Sequence, residues 1–143
     1  MPDDELRTLY RKWLPDLWNA EPDSMSGLAA DIFAPDAVAH WREGDDHHGP
    51  AEIAAQVRQG VLLFDDVVVT LDHGPIVDGE LVAAQWTFRG RVKPGWEDVP
   101  AAPGTPVRYR GMDLLRASGG RFVEYWPFGD NLNLMTQLGA LGT

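Results

Sequence analysis

The sequence has no cysteine, few basic residues and no long apolar segment, and each absence removes a class of function. Without cysteine, the 143-residue chain forms no disulfide, thiolate nucleophile or Cys-ligated zinc site. Lys and Arg number 12 against 22 Asp and Glu, and the net charge of −10 disfavours binding to nucleic acid or to an anionic membrane. No apolar run exceeds four residues, too few to span a bilayer. The acidic N-terminus differs from a secretory signal, so we expect a cytoplasmic protein.

Common catalytic and cofactor-binding motifs are also missing. The chain has only three serines and no G-x-S-x-G elbow, and it contains no H-E-x-x-H, Walker or G-x-G-x-x-G pattern. Asp45, Asp46, His47 and His48 form an acidic, histidine-bearing cluster. Adjacent histidines point in different directions and no further ligand shows typical metal-site spacing, so we interpret the cluster as a solvated loop. We therefore expect neither a metal nor a cofactor, and we interpret His73, beside Gly74-Pro75, as a turn residue.

The first part of the chain has the apolar spacing of helices. With 44% hydrophobic residues and six tryptophans, the sequence supplies one hydrophobic core, and we expect a single domain over residues 1–143. Apolar residues recur at steps of three and four from Leu6 to Trp18, and Pro15 predicts a kink near Leu14. A second helix is predicted around residues 25–33 and a third between Pro50 and Gly60.

The remainder has the pattern of antiparallel strands. Asp78-Gly79 and Ser118-Gly119-Gly120 are turn signals, and a proline-rich loop is expected between Lys93 and Pro106. The predicted strands are residues 37–41, 67–71, 81–92, 107–116 and 121–126, and a closing helix ends at Gly139. Helices followed by a meander of long strands predict an α+β fold in which helices cover one face of a sheet.

The last forty residues carry the most specific sequence features. These are Gly104-Thr105-Pro106-Val107, Arg110–Arg116, Gly120–Trp126, Asp130 and Gln137-Leu138-Gly139, preceded by Asp36–Trp41 and Gly49–Ile53. The combination resembles the SnoaL-like polyketide cyclase family, within the NTF2-like, ketosteroid-isomerase-like superfamily. The resemblance implies a cone of three N-terminal helices packed on a curved antiparallel or mixed sheet that encloses a pocket, and it implies a homodimer. The fold hosts cyclases, isomerases, dehydratases, epoxide hydrolases and non-catalytic proteins.

Asp130 is the first catalytic candidate that the resemblance suggests. In SnoaL-like cyclases an aspartate a few residues after the Trp of the last strand acts as general acid and base, and Asp130 matches that position. A carboxyl group in a poorly hydrated pocket has a raised pKa and can move protons next to a carbonyl. Asp130 also precedes the closing helix and is suited to cap it, and the sequence leaves both interpretations open.

Asp113 and His40 are the other catalytic candidates. Asp113 lies near the position of an oxyanion-hole acid in ketosteroid isomerases, but neither face of its strand is cleanly polar. An exposed or dimer-interface Asp113 paired with an arginine is the commoner arrangement. His40 and Trp41 lie on the first strand, where only one of them is expected to face inward. His40 is suited either to shuttle protons near neutral pH or to form a structural hydrogen bond.

Aromatic and soft apolar side chains are expected to form the pocket wall. The candidates for substrate binding are Tyr10, Trp41, Trp86, Met112 and Trp126. The leading hypothesis is a cofactor-independent acid/base enzyme acting on a small hydrophobic carbonyl compound, with Asp130 as proton shuttle. The alternatives are a non-catalytic ligand-binding module and an epoxide hydrolase. The hydrolase is disfavoured because the middle strand, Ala83–Phe88, lacks the acid that limonene-epoxide-hydrolase-like proteins place there.

Overall fold

A computed structural model describes residues 1–141, which combine helices with one mixed sheet. The helices are α1 (Asp3–Arg11), α2 (Met25–Ile32), α3 (Gly49–Val61) and α4 (Asn131–Leu138). The strands are β1 (Phe33–Arg42), β2 (Asp45–His48), β3 (Phe64–Asp78), β4 (Leu81–Val92), β5 (Pro106–Ser118) and β6 (Arg121–Gly129). The α+β prediction is confirmed. No helix within residues 1–141 combines the length and apolar character needed to cross a membrane.

The N-terminal helical region is broken where proline predicts it. α1 ends at Arg11, and a wider helical segment follows over Lys12–Leu17. Leu14 leaves the helical conformation, with φ −138° and ψ 115°, because the ring of Pro15 disfavours helical geometry in the residue before it. Two helical pieces thus follow one another across this kink, and both bury apolar side chains.

The sheet has the order β2-β1-β6-β5-β4-β3. β1 and β6 are parallel, and the other neighbouring pairs are antiparallel. The prediction of a loop at residues 45–48 is wrong, because this segment pairs with β1 as an edge strand. The prediction of a turn at His73 is also wrong. His73 lies within β3 opposite Gln85, where the register shifts, and the strand continues to Asp78.

β5 alternates between a buried and an exposed face. Gly111, Asp113 and Leu115 are buried on the side that the helices cover, whereas Met112 and Leu114 are 56% and 37% exposed on the opposite side. Both faces carry apolar residues, so the sequence alone did not show which face is internal. The structure assigns Asp113 to the interior.

Gly111 provides the space for a tryptophan on the neighbouring strand. Trp86 is its cross-strand partner, and the Trp86 ring lies over the Gly111 backbone. A Cβ atom at Gly111 would lie 2.1 Å from Cζ2 of Trp86, far inside van der Waals contact. The absence of a side chain at position 111 therefore determines where the Trp86 ring lies.

Gly111→Ala is expected to destabilise the protein by about 1–3 kcal/mol, because the added methyl group displaces the buried Trp86 ring. Gly27→Ala is the control. A Cβ at Gly27 meets nothing within 4 Å, and alanine in the interior of α2 should stabilise by about 0.5–1 kcal/mol. Urea unfolding measures both. Equal stability of the Gly111→Ala variant and the wild type would contradict the packing described.

Candidate functional site

Asp113 is a buried carboxylate surrounded by aromatic hydrogen-bond donors. It is 2% exposed. Its Oδ2 accepts hydrogen bonds from the Tyr10 hydroxyl at 2.9 Å and from Nε1 of Trp13 at 3.3 Å. Its Oδ1 accepts from Nε1 of Trp86 at 3.0 Å and from the Tyr125 hydroxyl at 2.8 Å. Each carboxylate oxygen therefore has one phenol and one indole donor.

The environment of Asp113 shifts its pKa in two opposing ways. Burial disfavours the charged form, and the four donors favour it; burial is the larger effect and raises the pKa to about 6. None of the arginines in residues 1–141 hydrogen-bonds to this carboxylate. The expectation of an exposed Asp113 paired with arginine is therefore wrong, because strand alternation turns the side chain inward.

Burial also keeps the two tyrosine partners of Asp113 protonated. It raises the pKa of Tyr10 and that of Tyr125, and the negative charge of Asp113 adds to both shifts. Both hydroxyls remain donors at neutral pH, as the geometry requires. The hydroxyls of Tyr10 and Tyr125 are thus already used within the protein.

A cavity of about 890 Å³ lies between α4, the end of β1 and the ends of β5 and β6. Its aromatic lining residues are Trp18, Trp41, Trp86, Tyr109, Tyr125, Trp126 and Phe128. Polar side chains lie on the part of the wall formed by the β1–β2 turn and the start of α4, and these are His40, Arg42, Glu43, Asp46 and Asn131. The cavity is large enough for a polycyclic small molecule.

Three tryptophans form a near-parallel stack in this wall. The Trp18 ring lies between those of Trp41 and Trp86, with centroid distances of 6.5 and 6.4 Å and interplanar angles of 26° and 22°. Trp86 is in turn held by its hydrogen bond to Asp113. The buried carboxylate therefore fixes one end of the stack.

His40 lies on the cavity wall between two carboxylates. Its Nδ1 is 3.0 Å from Oδ1 of Asp46, and its Nε2 is 2.7 Å from Oε2 of Glu124. Glu124 also accepts a hydrogen bond from Arg116, and the His40 ring stacks on Trp126 at 5.5 Å. The hydrogen bond to Glu124 is the main cause of a raised pKa at His40, and Asp46 adds to it. Only the charged imidazole donates from both nitrogens, so the two carboxylates favour the imidazolium form.

Asp130 is exposed and caps α4. Its Oδ1 accepts a hydrogen bond from the backbone N–H of Asn133 at 3.1 Å, which confirms the capping interpretation. Its neighbours Gly129 and Asn131 line the cavity, whereas Asp130 itself is not part of the wall. An acid/base role for Asp130 stays a prediction.

The expected substrate-binding residues divide into two groups. Trp41, Trp86 and Trp126 line the cavity. Met112 does not, because alternation along β5 places it on the outer face of the sheet. Tyr10 is fully buried in the core, and its hydroxyl is directed to Asp113. His40 and Trp41 both border the cavity, but they lie on opposite faces of the sheet. Trp41 packs on the buried Tyr125, whereas His40 stacks on Trp126, the cross-strand partner of the outer-face Leu114.

Several residues of the site were not singled out from the sequence. Trp18 was assigned to the apolar pattern of the first helix, Tyr125 appeared only within the Gly120–Trp126 run, and Asp46 was assigned to a loop. Tyr109 precedes Asp113 by four residues on the same strand face, a spacing that places both on the inner side once the direction of that face is known. Within residues 1–141, no group of three or more His, Asp or Glu side chains is arranged to hold a metal ion.

Solved structures share this fold along almost the whole chain. TsrD from Streptomyces laurentii has a TM-score of 0.77 at 20% identity, with 98% of each chain covered. IdmH from Streptomyces antibioticus has a TM-score of 0.69 at 28% identity, covering 97% of this chain and 99% of its own. A Catenulispora acidiphila protein with a ketosteroid isomerase-like fold, solved with trimethylamine, has a TM-score of 0.70 at 19% identity and covers 94% and 96%.

The fold is thus that of the NTF2-like, ketosteroid-isomerase-like proteins, with a cavity at the open end of the sheet. Within this class, the chain belongs to the SnoaL-like polyketide cyclase family, whose model matches residues 8–138. No curated protein matches the chain.

The raised pKa of Asp113 predicts a pH-dependent stability difference. Because the pKa is about 6 in the folded state and near 3.8 in the unfolded chain, the unfolded state loses its proton first as the pH rises. The contribution of Asp113 to the free energy of unfolding is therefore fully present only well below pH 3.8, and it falls by about 3 kcal/mol in all once the pH has risen past about 6.

The measurement compares urea unfolding of the wild type with that of Asp113→Asn, which does not titrate, at several pH values. The stability of the wild type relative to Asp113→Asn should fall by about 2 kcal/mol between pH 4 and pH 6, and by about 3 kcal/mol between pH 3 and pH 7. Asp130→Asn is the control, because this carboxylate is exposed. If the difference in unfolding free energy between the wild type and Asp113→Asn stayed constant across this range, Asp113 would have an ordinary pKa in the folded state.

Proposed function

We propose that the protein is a cofactor-independent acid/base enzyme acting on a planar, hydrophobic carbonyl compound, of the cyclase, isomerase or dehydratase type. The observation that carries the proposal is an aromatic-walled cavity with a hydrogen-bonded His40–Asp46 pair in its wall. Membership in the SnoaL-like polyketide cyclase family supports the same class of chemistry.

The shape of the cavity favours a flat ring system. The stacked Trp18, Trp41 and Trp86 rings offer a rigid aromatic surface, and the volume of about 890 Å³ lies within the range of small-molecule sites. A planar substrate gains aromatic contacts with little loss of side-chain freedom, because the rings are already held in place.

The proton transfer is assigned to the polar part of the wall. Asp46 accepts the proton from the carbon next to the carbonyl: the C–H bond breaks, its electron pair forms the enolate double bond, and the negative charge moves to the carbonyl oxygen. His40 is kept charged by Glu124 and hydrogen-bonds to Asp46. Its positive charge stabilises the negative charge that forms on the nearby enolate oxygen. In a cyclisation the enolate carbon then attacks a second carbonyl, whose π electrons move to its oxygen, and that oxygen takes the proton back from Asp46. In an isomerisation the proton returns to carbon instead.

Asp130 is the second candidate for the proton shuttle. The family resemblance supports it, and its two chain neighbours line the cavity. To act, its carboxylate would have to exchange the hydrogen bond from Asn133 for one with the substrate. Asp46 needs no such rearrangement, which is why we assign the role to Asp46.

A non-catalytic ligand-binding module is the second candidate function. It is favoured by the saturation of Asp113, whose four hydrogen bonds all come from protein side chains. If Asp113 serves only to hold the aromatic wall, the same cavity can bind a planar ligand without turnover.

We also propose that the protein is a homodimer through the outer face of its sheet. Met112 is 56% exposed and Leu114 37% on β5. Phe128, the partner of Met112 on the adjacent strand β6, is 70% exposed and also borders the cavity. Apolar side chains of this size exposed side by side are typical of an interface. A second copy of the same face would cover them.

The acid/base proposal predicts that the protein accelerates exchange of the α-protons of 2-tetralone, a planar aromatic ketone, in D₂O. Proton NMR follows the loss of the α-proton signal. Asp46→Asn and His40→Gln should each slow the catalysed exchange by about 10²-fold or more. Because His40 acts in its charged form, the catalysed rate should decline as the pH rises through its raised pKa.

Asp130→Asn serves as the matched carboxylate control and should leave exchange unchanged. Slower exchange in Asp130→Asn with normal exchange in Asp46→Asn would transfer the proton shuttle to Asp130. Binding of the ketone without accelerated exchange would contradict the enzymatic proposal and support the binding module.

The dimer proposal predicts a solution mass of twice the chain mass of 15.8 kDa by size-exclusion chromatography with light scattering. Met112→Glu should shift the population toward monomer, because it places a charge in the covered face. Glu substituted at Leu62, an exposed residue just after α3, is the control and should leave the mass unchanged. A wild-type protein of single-chain mass would exclude the dimer.

A further inference from the structure

We propose that the hydroxyl group of Tyr109 binds the carbonyl oxygen of the ligand and holds it as it becomes the enolate oxygen. The inference rests on the proposed function for the enzymatic step, but its binding part requires only that the cavity takes a ligand with an oxygen acceptor. It names both a binding residue and a chemical feature of the substrate.

The three tyrosines of the chain differ in how their hydroxyls are used. Those of Tyr10 and Tyr125 donate to Asp113. Tyr109 lines the cavity, and within residues 1–141 its hydroxyl has no hydrogen-bond partner. It is also absent from the polar atoms that packing seals from solvent, so the hydroxyl is open to a ligand. A polar group that lies in an apolar wall without a protein partner is suited to hydrogen-bond to a ligand.

The position of Tyr109 is fixed by its neighbours. Its ring contacts that of Trp86 edge-on, with 5.6 Å between the ring centroids, and packs against the Phe88 ring with a centroid distance of 5.2 Å. Because Trp86 is hydrogen-bonded to Asp113, the Tyr109 ring packs against a side chain that is itself held in place. A donor held in place before binding loses little entropy when the hydrogen bond forms, and this preorganisation is what stabilises developing negative charge.

The environment keeps Tyr109 a donor. Burial raises its pKa to about 12, so the hydroxyl carries its proton at neutral pH. In a poorly hydrated wall, a hydrogen bond from a phenol to a charged oxygen is stronger than in water. The bond should therefore strengthen as charge moves onto the substrate oxygen.

The test compares 1-tetralone with tetralin, the hydrocarbon of similar shape that lacks the oxygen. Tyr109→Phe should weaken binding of 1-tetralone by about tenfold and leave tetralin binding unchanged. With ¹³C at the carbonyl, the carbonyl resonance of bound 1-tetralone should move downfield in the wild type and lose that shift in Tyr109→Phe. The catalysed exchange of 2-tetralone should fall by about 10²-fold.

Trp126→Phe is the control variant, since Trp126 lines the same cavity and its substitution should affect both ligands alike. Tyr109→Phe should fold normally, because it removes a hydroxyl without a protein partner. A carbonyl shift identical in wild type and Tyr109→Phe, equal weakening of both ligands, or no binding of 1-tetralone would overturn the inference. A carbonyl shift that depends on Tyr109, without catalysed exchange, would contradict the enzymatic proposal and support the binding inference. Catalysed exchange that does not depend on Tyr109 would support the enzymatic proposal and contradict the role of Tyr109.

Discussion

The burial of one carboxylate determines the arrangement of the cavity. Burying the carboxylate of Asp113 costs free energy, and that cost is offset only when all of its donors hydrogen-bond to it at once. The donors come from α1, the helical segment after it, β4 and β6, so a single group joins four separate parts of the chain. Two of them, Trp86 and Tyr125, also line the cavity. The core and the wall of the site are therefore stabilised by the same hydrogen bonds.

Features that depend on near neighbours in the chain were predictable from the sequence. The kink at Leu14 follows from the residue after it, and the capping of α4 by Asp130 joins residues three apart. The order of helices and long strands follows from apolar spacing. β2 was missed because an edge strand is paired on one side only, and its four polar residues lack the apolar alternation by which strands are recognised.

The site itself depends on contacts between distant residues. Asp113 meets Tyr10 across 103 positions, and His40 meets Glu124 across 84. The inner face of β5 could not be identified from the sequence because Met112 and Leu114 make the outer face apolar as well. A carboxylate on such a strand is ambiguous until its donors are placed. The family resemblance indicated the cavity, but not which polar groups face it.

The tryptophan stack gives the protein an intrinsic optical reporter. Trp18 lies within 6.5 Å of both Trp41 and Trp86, with rings nearly parallel, so their electronic transitions couple. Trp13 also lies 5.8 Å from Trp18, so the near-ultraviolet circular dichroism of the folded protein should depend on the geometry of this tryptophan cluster. Any molecule that occupies the cavity changes the surroundings of the coupled rings. Ligand screening can therefore proceed on the unlabelled protein, before any substrate is known.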